Sequence, residues 1–535
     1  MNLASRSKQP PYLPVLPIET RVLSPGAVSR ELERLQPELR RLVDAGVNVV
    51  RLLVMWKAIE PVYQDPYLAL QPAGLAYLAA VRQIVDALYA HGIFVIIDFH
   101  QDIASEAYGG DGFPDWALAV DHDHPRPGAA PKPDARWGIR YYAVPGDGLS
   151  KAVRHTLQSF WRDAVTNTEA GLVEAPAQTH LVRTIGMTAS FFGGHPGVLG
   201  YEPFNEPHQV GLPKTAFERE TLGRFYGAVI QAVSRADPKA FVFVEPRMDW
   251  TTYPADVAEP SLLRPWSIFG FTDRPQTFLD VGSQPRDARV VFSFHYYDPA
   301  LVAGVPFRGR LAPRARTWST FFAAMDSVIR GQGHVPFLTE FGCDQNWTKP
   351  SDFRPEVYGT IARACMDLQY RAVDDSLWSA TYWNVDFYSR RDADGRAHEN
   401  WNEENLSLLG PEGPRNLDVA SRPYPMRSSA RPVLLRFDLA SRQGAIAMQG
   451  APVAAPTVVF VPVRTHYAGG FEVRATTSRA PVWDAARSLL YWWPRPGDGT
   501  HALVIAPRGA LDSRILPPAV EALLPAMASS TFGGK

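Results

Sequence analysis

Two carboxylates stand in settings that suit acid–base and nucleophilic chemistry. Glu206 lies in the run Asn205-Glu206-Pro207, and Glu340 lies in Thr339-Glu340-Phe341-Gly342. Each closes an apolar, strand-like stretch, so each carboxylate is expected at a strand end. Hydrolysis of a glycosidic bond calls for such a pair, because one group must protonate the leaving oxygen while the other attacks the sugar or activates water. Polar and aromatic residues recur at the ends of other apolar runs: Arg51, His100, Asp102, Asn205, His295, Tyr297 and Trp383. Taken singly, a histidine or tryptophan there is more often a core residue, and Arg51 could be a structural ion-pair partner. Their repetition at the same end of successive runs favours a common site.

The runs at 47–56, 94–100, 198–206, 241–245, 290–297, 335–342 and 380–386 have the length and composition of strands buried in a parallel sheet. Helical patterns separate them. Tyr77, Val81, Ile84, Val85 and Leu88 share one helical face, with Gly92 as a stop, and Leu222, Phe225, Val229 and Val233 share another. This alternation predicts an α/β fold, a (β/α)8 TIM barrel, whose chemistry sits at the C-terminal ends of its strands. Seven strands are visible, and the first is expected within 12–22, a Pro-rich stretch.

A chain of 535 residues, 46% hydrophobic, exceeds one ordinary core and predicts a second domain. The formal charge of -1 argues against a nucleic-acid partner, since no basic stripe is present. Cys343 and Cys365 are expected as reduced thiols. No apolar signal core opens the chain and no run is long enough to span a bilayer, which predicts a cytoplasmic protein, or a secreted one whose leader has been removed.

After 386 the pattern changes. A charged, Asn-rich stretch at 389–405 reads as a rim loop, and Arg422-Pro423-Tyr424-Pro425 as a linker. Short strands are predicted at 433–437, 458–463, 471–475, 489–493 and 502–505, the pattern of an antiparallel β-sandwich. The expected division is a catalytic barrel over 1–420 and a sandwich over 421–535 packed on it, with the apolar segment 515–527 packed as well.

Other clusters carry less weight. Asp121-His122-Asp123-His124 alternates ligand types, but it lies among Pro and Gly with no third ligand pattern nearby, so a solvated loop is expected there and no metal. Glu202 and Glu245 flank strands and are expected to be structural, with Glu245 the reserve candidate for the chemistry.

The ordered set Arg51, His100, Asn205-Glu206-Pro207, His295-Tyr296-Tyr297, Glu340 and Trp383 resembles the active-site set of the family-five glycoside hydrolases, and Gly46-Val47-Asn48 resembles the opening of their second strand. The runs DFHQD at 98–102 and YGGDGFPDW at 108–116 are similar to the endoglycoceramidase and glucosylceramidase branch, which includes sterol-glucosidases. The likeness covers about 40–386 and is weaker in the C-terminal β region. It implies a retaining mechanism with Glu206 as acid/base and Glu340 as nucleophile, and no cofactor. Arg51 and Tyr297 would orient Glu340, Asn205 would meet the sugar 2-hydroxyl, Trp383 would form the floor under the sugar, and His100, Asp102 and His295 would complete the substrate-binding set.

The expected substrate is a β-linked glycolipid such as glucosylceramide, with transient contact at a membrane or micelle surface. The apolar loops 262–271 and 300–307 are candidates for the cleft mouth. The alternatives are soluble oligosaccharides or aryl and steryl glucosides, and, from another class, a non-catalytic glycan- or glycolipid-binding protein. A binder needs neither a tuned acid nor a nucleophile, which favours the enzyme.

Overall fold

A computed structural model describes residues 1–128, 148–208, 216–247, 289–297, 333–343, 361–391 and 405–534, with Val210, Gln345, 397–398 and several positions between 319 and 331. The loops 262–271 and 300–307 lie outside the described residues.

Eight parallel strands form one sheet in sequence order: β1 (Asn2–Leu3), β2 (Val49–Met55), β3 (Phe94–His100), β4 (Val198–Glu202), β5 (Phe241–Val244), β6 (Val290–Tyr296), β7 (Val335–Phe341) and β8 (Ser379–Ala380). The sheet closes on itself. Asn2 N donates to Tyr382 O at 3.0 Å, Val385 N donates to Asn2 O at 2.9 Å, and Leu3 bridges Val385 in parallel. Closure removes the two free edges that an open sheet would expose.

Two expectations fail at this seam. The first strand is Asn2–Leu3, paired with Arg51 and Leu52, not a segment of 12–22, where Pro14 and Pro17 remove ladder donors and the chain makes turns. The last strand is Ser379–Ala380 instead of 380–386: beyond Ala380 the regular ladder gives way to single bonds on both sides, Trp383 N donating to Phe341 O of β7 at 2.8 Å while Tyr382 O and Val385 N bond Asn2 of β1.

The helices α1 (Ala27–Arg34), α2 (Gln36–Asp44), α3 (Pro72–Ala90), α4 (Gly148–Trp161), α5 (Ala177–Phe192), α6 (Gly223–Ala236) and α7 (Ile361–Ser376) belong to the barrel half of the chain. Tyr77, Val81, Ile84, Val85 and Leu88 are buried on α3, and Phe225, Val229 and Val233 on α6, the faces expected from their spacing.

Because side chains alternate along a strand, every second residue shares a face, and the barrel interior is built in layers. Its lower layer is apolar: Ile96, Phe243, Val291 and Phe337 form a separate buried cluster with Val49 packed against it. Two residues further along the same strands come Arg51, Asp98 and Glu245, then His100 on β3. The hydrophobic base therefore holds a charged layer toward the C-terminal end.

The C-terminal domain is a sandwich of two antiparallel sheets. The strands are β9 (Tyr424–Arg427), β10 (Arg431–Asp438), β11 (Gln443–Gln449), β12 (Thr457–Phe460), β13 (Phe471–Ala475), β14 (Val482–Asp484), β15 (Leu489–Trp492), β16 (Thr500–Pro507) and β17 (Ala528–Phe532). One sheet has the order β9-β12-β15-β14, the other β10-β11-β16-β13-β17. Ile446, Met448, Val459, Val473, Leu490, Trp492, Leu503 and Ile505 fill the space between them. Leu516, Val520 and Met527 cover Ala445, Ala447, Ala502 and Val504 on the other face of the five-stranded sheet, so the segment 515–527 is packed.

The sandwich docks on the barrel through Phe437 and Leu439, which join the barrel core, and through Arg422, which pairs with Asp367 and, at 3.1 Å, Asp374 of α7. Tyr424 was expected in a linker, but it starts β9 and donates to Gly46 O at 2.6 Å. At Gly46 φ is +87° and an added Cβ would lie 2.5 Å from the Phe460 ring, so glycine is required for this approach. Both cysteines are buried free thiols. Among the described residues no helix is long and apolar enough to cross a membrane.

Candidate active site

Arg51 organises the charged layer. Its side chain is fully enclosed at 0% exposure and faces four carboxylates: Glu202 through Nε, Glu340 Oε1 at 2.5 Å through Nη1, and Asp98 at 3.1 Å and Glu245 at 3.5 Å through Nη2. It also donates to Asn205 Oδ1 at 2.8 Å and Asn2 Oδ1 at 3.2 Å. Burial opposes its charge, but the surrounding carboxylates outweigh that cost and hold the guanidinium well above its usual pKa. The planar fork suits this role because it presents several donors in fixed directions. Arg51 was expected to orient Glu340 within the substrate-binding set; enclosed as it is, it reaches the site through Glu340 and Asn205.

Glu340 and His295 meet because of a register shift. β6 and β7 pair Phe294 with Leu338 and then His295 with Glu340, so Thr339 is the extra residue on β7. Such an irregularity re-aims the side chains beyond it. Tyr297 donates its hydroxyl to Glu340 Oε2 at 2.8 Å, so Arg51 and Tyr297 between them hold both oxygens. One carboxylate oxygen of Glu206, one of Glu340 and a ring nitrogen of His295 all lie within 4.8 Å of one another.

Glu206 sits four residues past the end of β4, with φ at +47°. Asn205 is fixed by a reciprocal amide pair: Gln101 Nε2 donates to Asn205 O at 2.9 Å, and Asn205 Nδ2 donates to Gln101 O at 3.1 Å. The Glu206 backbone N–H donates to Glu245 Oε2 at 3.1 Å, and its carboxyl shares a 2.8 Å hydrogen bond with His295 Nδ1. Burial first, and then the Asp102 charge, push the Glu206 carboxyl up to about 8. Burial also drives His295 down to about 4, leaving a neutral imidazole at neutral pH. Glu245 is held well above its usual value by burial and by Glu202. Glu202 is held below its own, Arg51 and His295 outweighing burial.

A second cluster borders the pair. His100 Nδ1 contacts Asp98 Oδ2 at 2.7 Å and its Nε2 contacts Asp102 Oδ2 at 3.3 Å. Burial and Lys8 oppose its protonation, yet Asp98 and Asp102 prevail and raise it to about 9. The Asp102 carboxylate pairs with the Lys8 ammonium and is held far below the usual range despite burial. His100 stacks on Trp383 with centroids 5.7 Å apart, and Lys8 Nζ lies 4.6 Å over the Trp383 ring.

Asp111, fully buried, is pushed well above the carboxylate range by that burial and by Asp102. Its backbone pairs with Asp102, and the flanking glycines make this possible: a Cβ on Gly110 would lie 1.7 Å from Asp102 O, and Gly112 has φ at +106°.

The structure thus gathers Arg51, His100, Asp102, Asn205, Glu206, His295, Tyr297, Glu340 and Trp383 at one end of the barrel. Sequence reasoning did not single out Asn2, Lys8, Asp98, Gln101 or Asp111. Asp98 sits two residues before His100, and a period-two reading of β3 would have found it; Lys8 follows a strand too short to be seen. The arrangement offers a protonated carboxyl beside a carboxylate held by an arginine and a tyrosine, which is the equipment for general-acid and nucleophilic steps.

Residues 29–389 match the family described as Cellulase (glycosyl hydrolase family 5), and residues 422–505 match the glycoside hydrolase family 5 C-terminal domain. The chain is 28% identical over 460 residues to Endoglycoceramidase I of Rhodococcus hoagii, covering 83% of this chain and 75% of that protein. It is 29% identical over 207 residues to a Glucosylceramidase of Rhizopus delemar, covering 34% of this chain and 28% of that one. Its fold is similar to that of Endo-glycoceramidase II from Rhodococcus sp., with a TM-score of 0.64 at 22% identity, over 95% of this chain and 96% of the other. With a family match that spans well over half of its length, the chain belongs to glycosyl hydrolase family 5.

Proposed function

We propose that this glycoside hydrolase cleaves the β-glycosidic bond between a sugar and a lipid aglycone of the ceramide class, with retention of configuration. The observation that carries the mechanism is the approach of a Glu206 oxygen and a Glu340 oxygen to within 4.8 Å of each other. Retaining enzymes hold their two carboxyl groups about 5 to 5.5 Å apart, whereas inverting ones leave room for a water between them. Glu340, as carboxylate, attacks the anomeric carbon while Glu206 gives its proton to the glycosidic oxygen. The lipid alcohol leaves and a glycosyl ester on Glu340 remains. Glu206, now deprotonated, takes a proton from water, which attacks the same carbon and frees Glu340.

In this reading Asn205 is oriented by Arg51 and Gln101 to bond the sugar 2-hydroxyl, Trp383 forms the floor of the sugar site, and Asp102, fixed by Lys8 and His100, accepts from an outer hydroxyl. The ceramide aglycone is supported by the names of the curated relatives, endoglycoceramidase and glucosylceramidase. The test is incubation with glucosylceramide, lactosylceramide, a steryl glucoside and cellobiose, with the released sugars identified. Release from a ceramide glycoside is expected to exceed that from cellobiose. Preference for cellobiose would overturn the lipid assignment, and full activity of Glu340→Gln would overturn the catalytic one.

A further inference from the structure

We propose that Asp121, His124 and His155 form a binding site for one divalent transition-metal ion of the zinc class, separate from the carboxylate site. The sequence around 121–124 has four ligand-type side chains in a Pro- and Gly-rich loop, of which Asp121 and His124 come together, and no further ligand pattern nearby. The third comes from α4: His155 Nε2 lies 3.1 Å from Asp121 Oδ2, and His124 Nδ1 lies 2.9 Å from Asp121 Oδ1. One ligand atom from each residue fits within 4.8 Å of the other two. In a tetrahedral zinc site with bonds of about 2.0–2.1 Å, neighbouring ligand atoms stand roughly 3.3 Å apart. The two donor–carboxylate spacings, one to each oxygen of Asp121, are already close to that value.

The chemistry of the set also fits. Two imidazoles and one carboxylate suit zinc, nickel or copper, while magnesium and calcium prefer all-oxygen shells. Asp121 is anchored before any ion arrives, since the backbone N–H groups of Asp123 and His124 donate to its Oδ1 at 2.9 and 2.7 Å. The side chains are between 28% and 31% exposed, so an ion can enter from solvent and keep a water as fourth ligand.

The two imidazoles now stack at 3.9 Å, 13° from parallel. Parallel rings cannot aim both lone pairs at one point, so metal binding replaces the shared hydrogen bonds by a turn of the rings about their side-chain torsions. Asp121 follows Val120, which bridges Asn167 of a small hairpin, and His155 lies on α4. The ion would therefore tie the segment after β3, which carries Asp102 and Asp111, to α4. Its role is to stabilise that side of the barrel mouth.

The test uses the full-length, tag-free protein after chelator treatment. Zn2+ uptake is measured by competition with a chromogenic chelator, coordination by the visible bands of Co2+, and thermal stability with and without Zn2+. Expected are one ion per chain, four-coordinate cobalt bands and a higher Tm with Zn2+. His124→Gln and His155→Gln should each weaken affinity at least about 10-fold and lose the Tm rise, with far-UV dichroism and glycosidase activity retained. Absence of saturable uptake by the wild-type protein would overturn the site and leave a hydrogen-bonded His–Asp–His cluster. Uptake unchanged in His155→Gln would overturn it too, by placing the ion elsewhere.

Discussion

The Glu206 carboxyl and the His295 imidazole share a hydrogen bond of 2.8 Å, and burial pushes both toward their uncharged forms, the acid up to about 8 and the imidazole down to about 4. A proton donor is thereby kept loaded at neutral pH beside a residue that adds no charge of its own. The carboxylate partner, Glu340, is the register neighbour of His295 and is held by Arg51 and Tyr297.

This pairing sets the pH profile. A carboxyl with a raised pKa is protonated below it, so kcat/KM for a glycoside with a poor leaving group should fall as pH rises through about 8. Glu206→Gln should remove that limb for an activated aryl glycoside, whose leaving group needs no proton. Stability carries the same sign. Unfolded Glu206 titrates near about 4.3, so its contribution is full below that value and is lost as pH rises toward about 8. Glu206→Gln should consequently lose less stability than wild type across that window, as read by urea unfolding.

Arg51 is the most sensitive structural position in the site. Removing one partner of a buried ion pair leaves the others uncompensated, typically at a cost of about 3–5 kcal/mol. Arg51→Ala should lose at least that much in denaturant unfolding and lose turnover as well. Arg51→Lys keeps the charge but not the fork toward Glu202, Glu340 and Asn205. It should recover stability more than activity.

The Lys8, Asp102 and His100 cluster gives a prediction with two signs. Lys8 lowers His100 and Asp102 raises it. By histidine NMR, Lys8→Met should move the His100 pKa above its wild-type value of about 9, and Asp102→Asn should bring it down. On a β-glucoside, Asp102→Ala should lower kcat/KM by about 10- to 1000-fold, because a bond to a sugar hydroxyl can strengthen in the transition state and a buried partner is left unpaired. Unchanged kinetics would assign Asp102 a structural role.

Asp111 should behave as a neutral acid. Asp111→Asn preserves its shape and a hydrogen-bond donor, so fold and kcat/KM should stay within a few-fold of wild type. Gly110→Ala should be far worse, since its new methyl group would meet Asp102 O at 1.7 Å. Thermal melts and β-glucoside kinetics of the two variants check the ordering.

What could be read from the sequence follows from how each element is held. Long apolar runs such as 94–100 and 335–342 declared themselves, and the rule that barrel chemistry sits at strand ends located Glu206 and Glu340. The seam could not be read in this way, because β1 and β8 have two residues each and no periodicity to display. In the sandwich β11 was missed because both of its faces are covered: six of its seven residues are buried, so the alternation that marks a half-exposed strand is absent. Lys8, Gln101 and Asp111 act through partners brought close by loops, at separations that no local spacing encodes. The third residue of the Asp121 cluster was hidden for the same reason.

In the proposed mechanism Glu340 becomes covalently bonded to the sugar while Glu206 supplies the proton. Its most direct test is mechanism-based trapping with a 2-deoxy-2-fluoro-β-glucoside that carries a good leaving group, followed by proteolysis and mass spectrometry of the labelled peptide. One glycosyl group per chain, on Glu340, and a β-configured product from untrapped turnover are expected. Label on Glu202 or Glu245, or an α-configured first product, would contradict it.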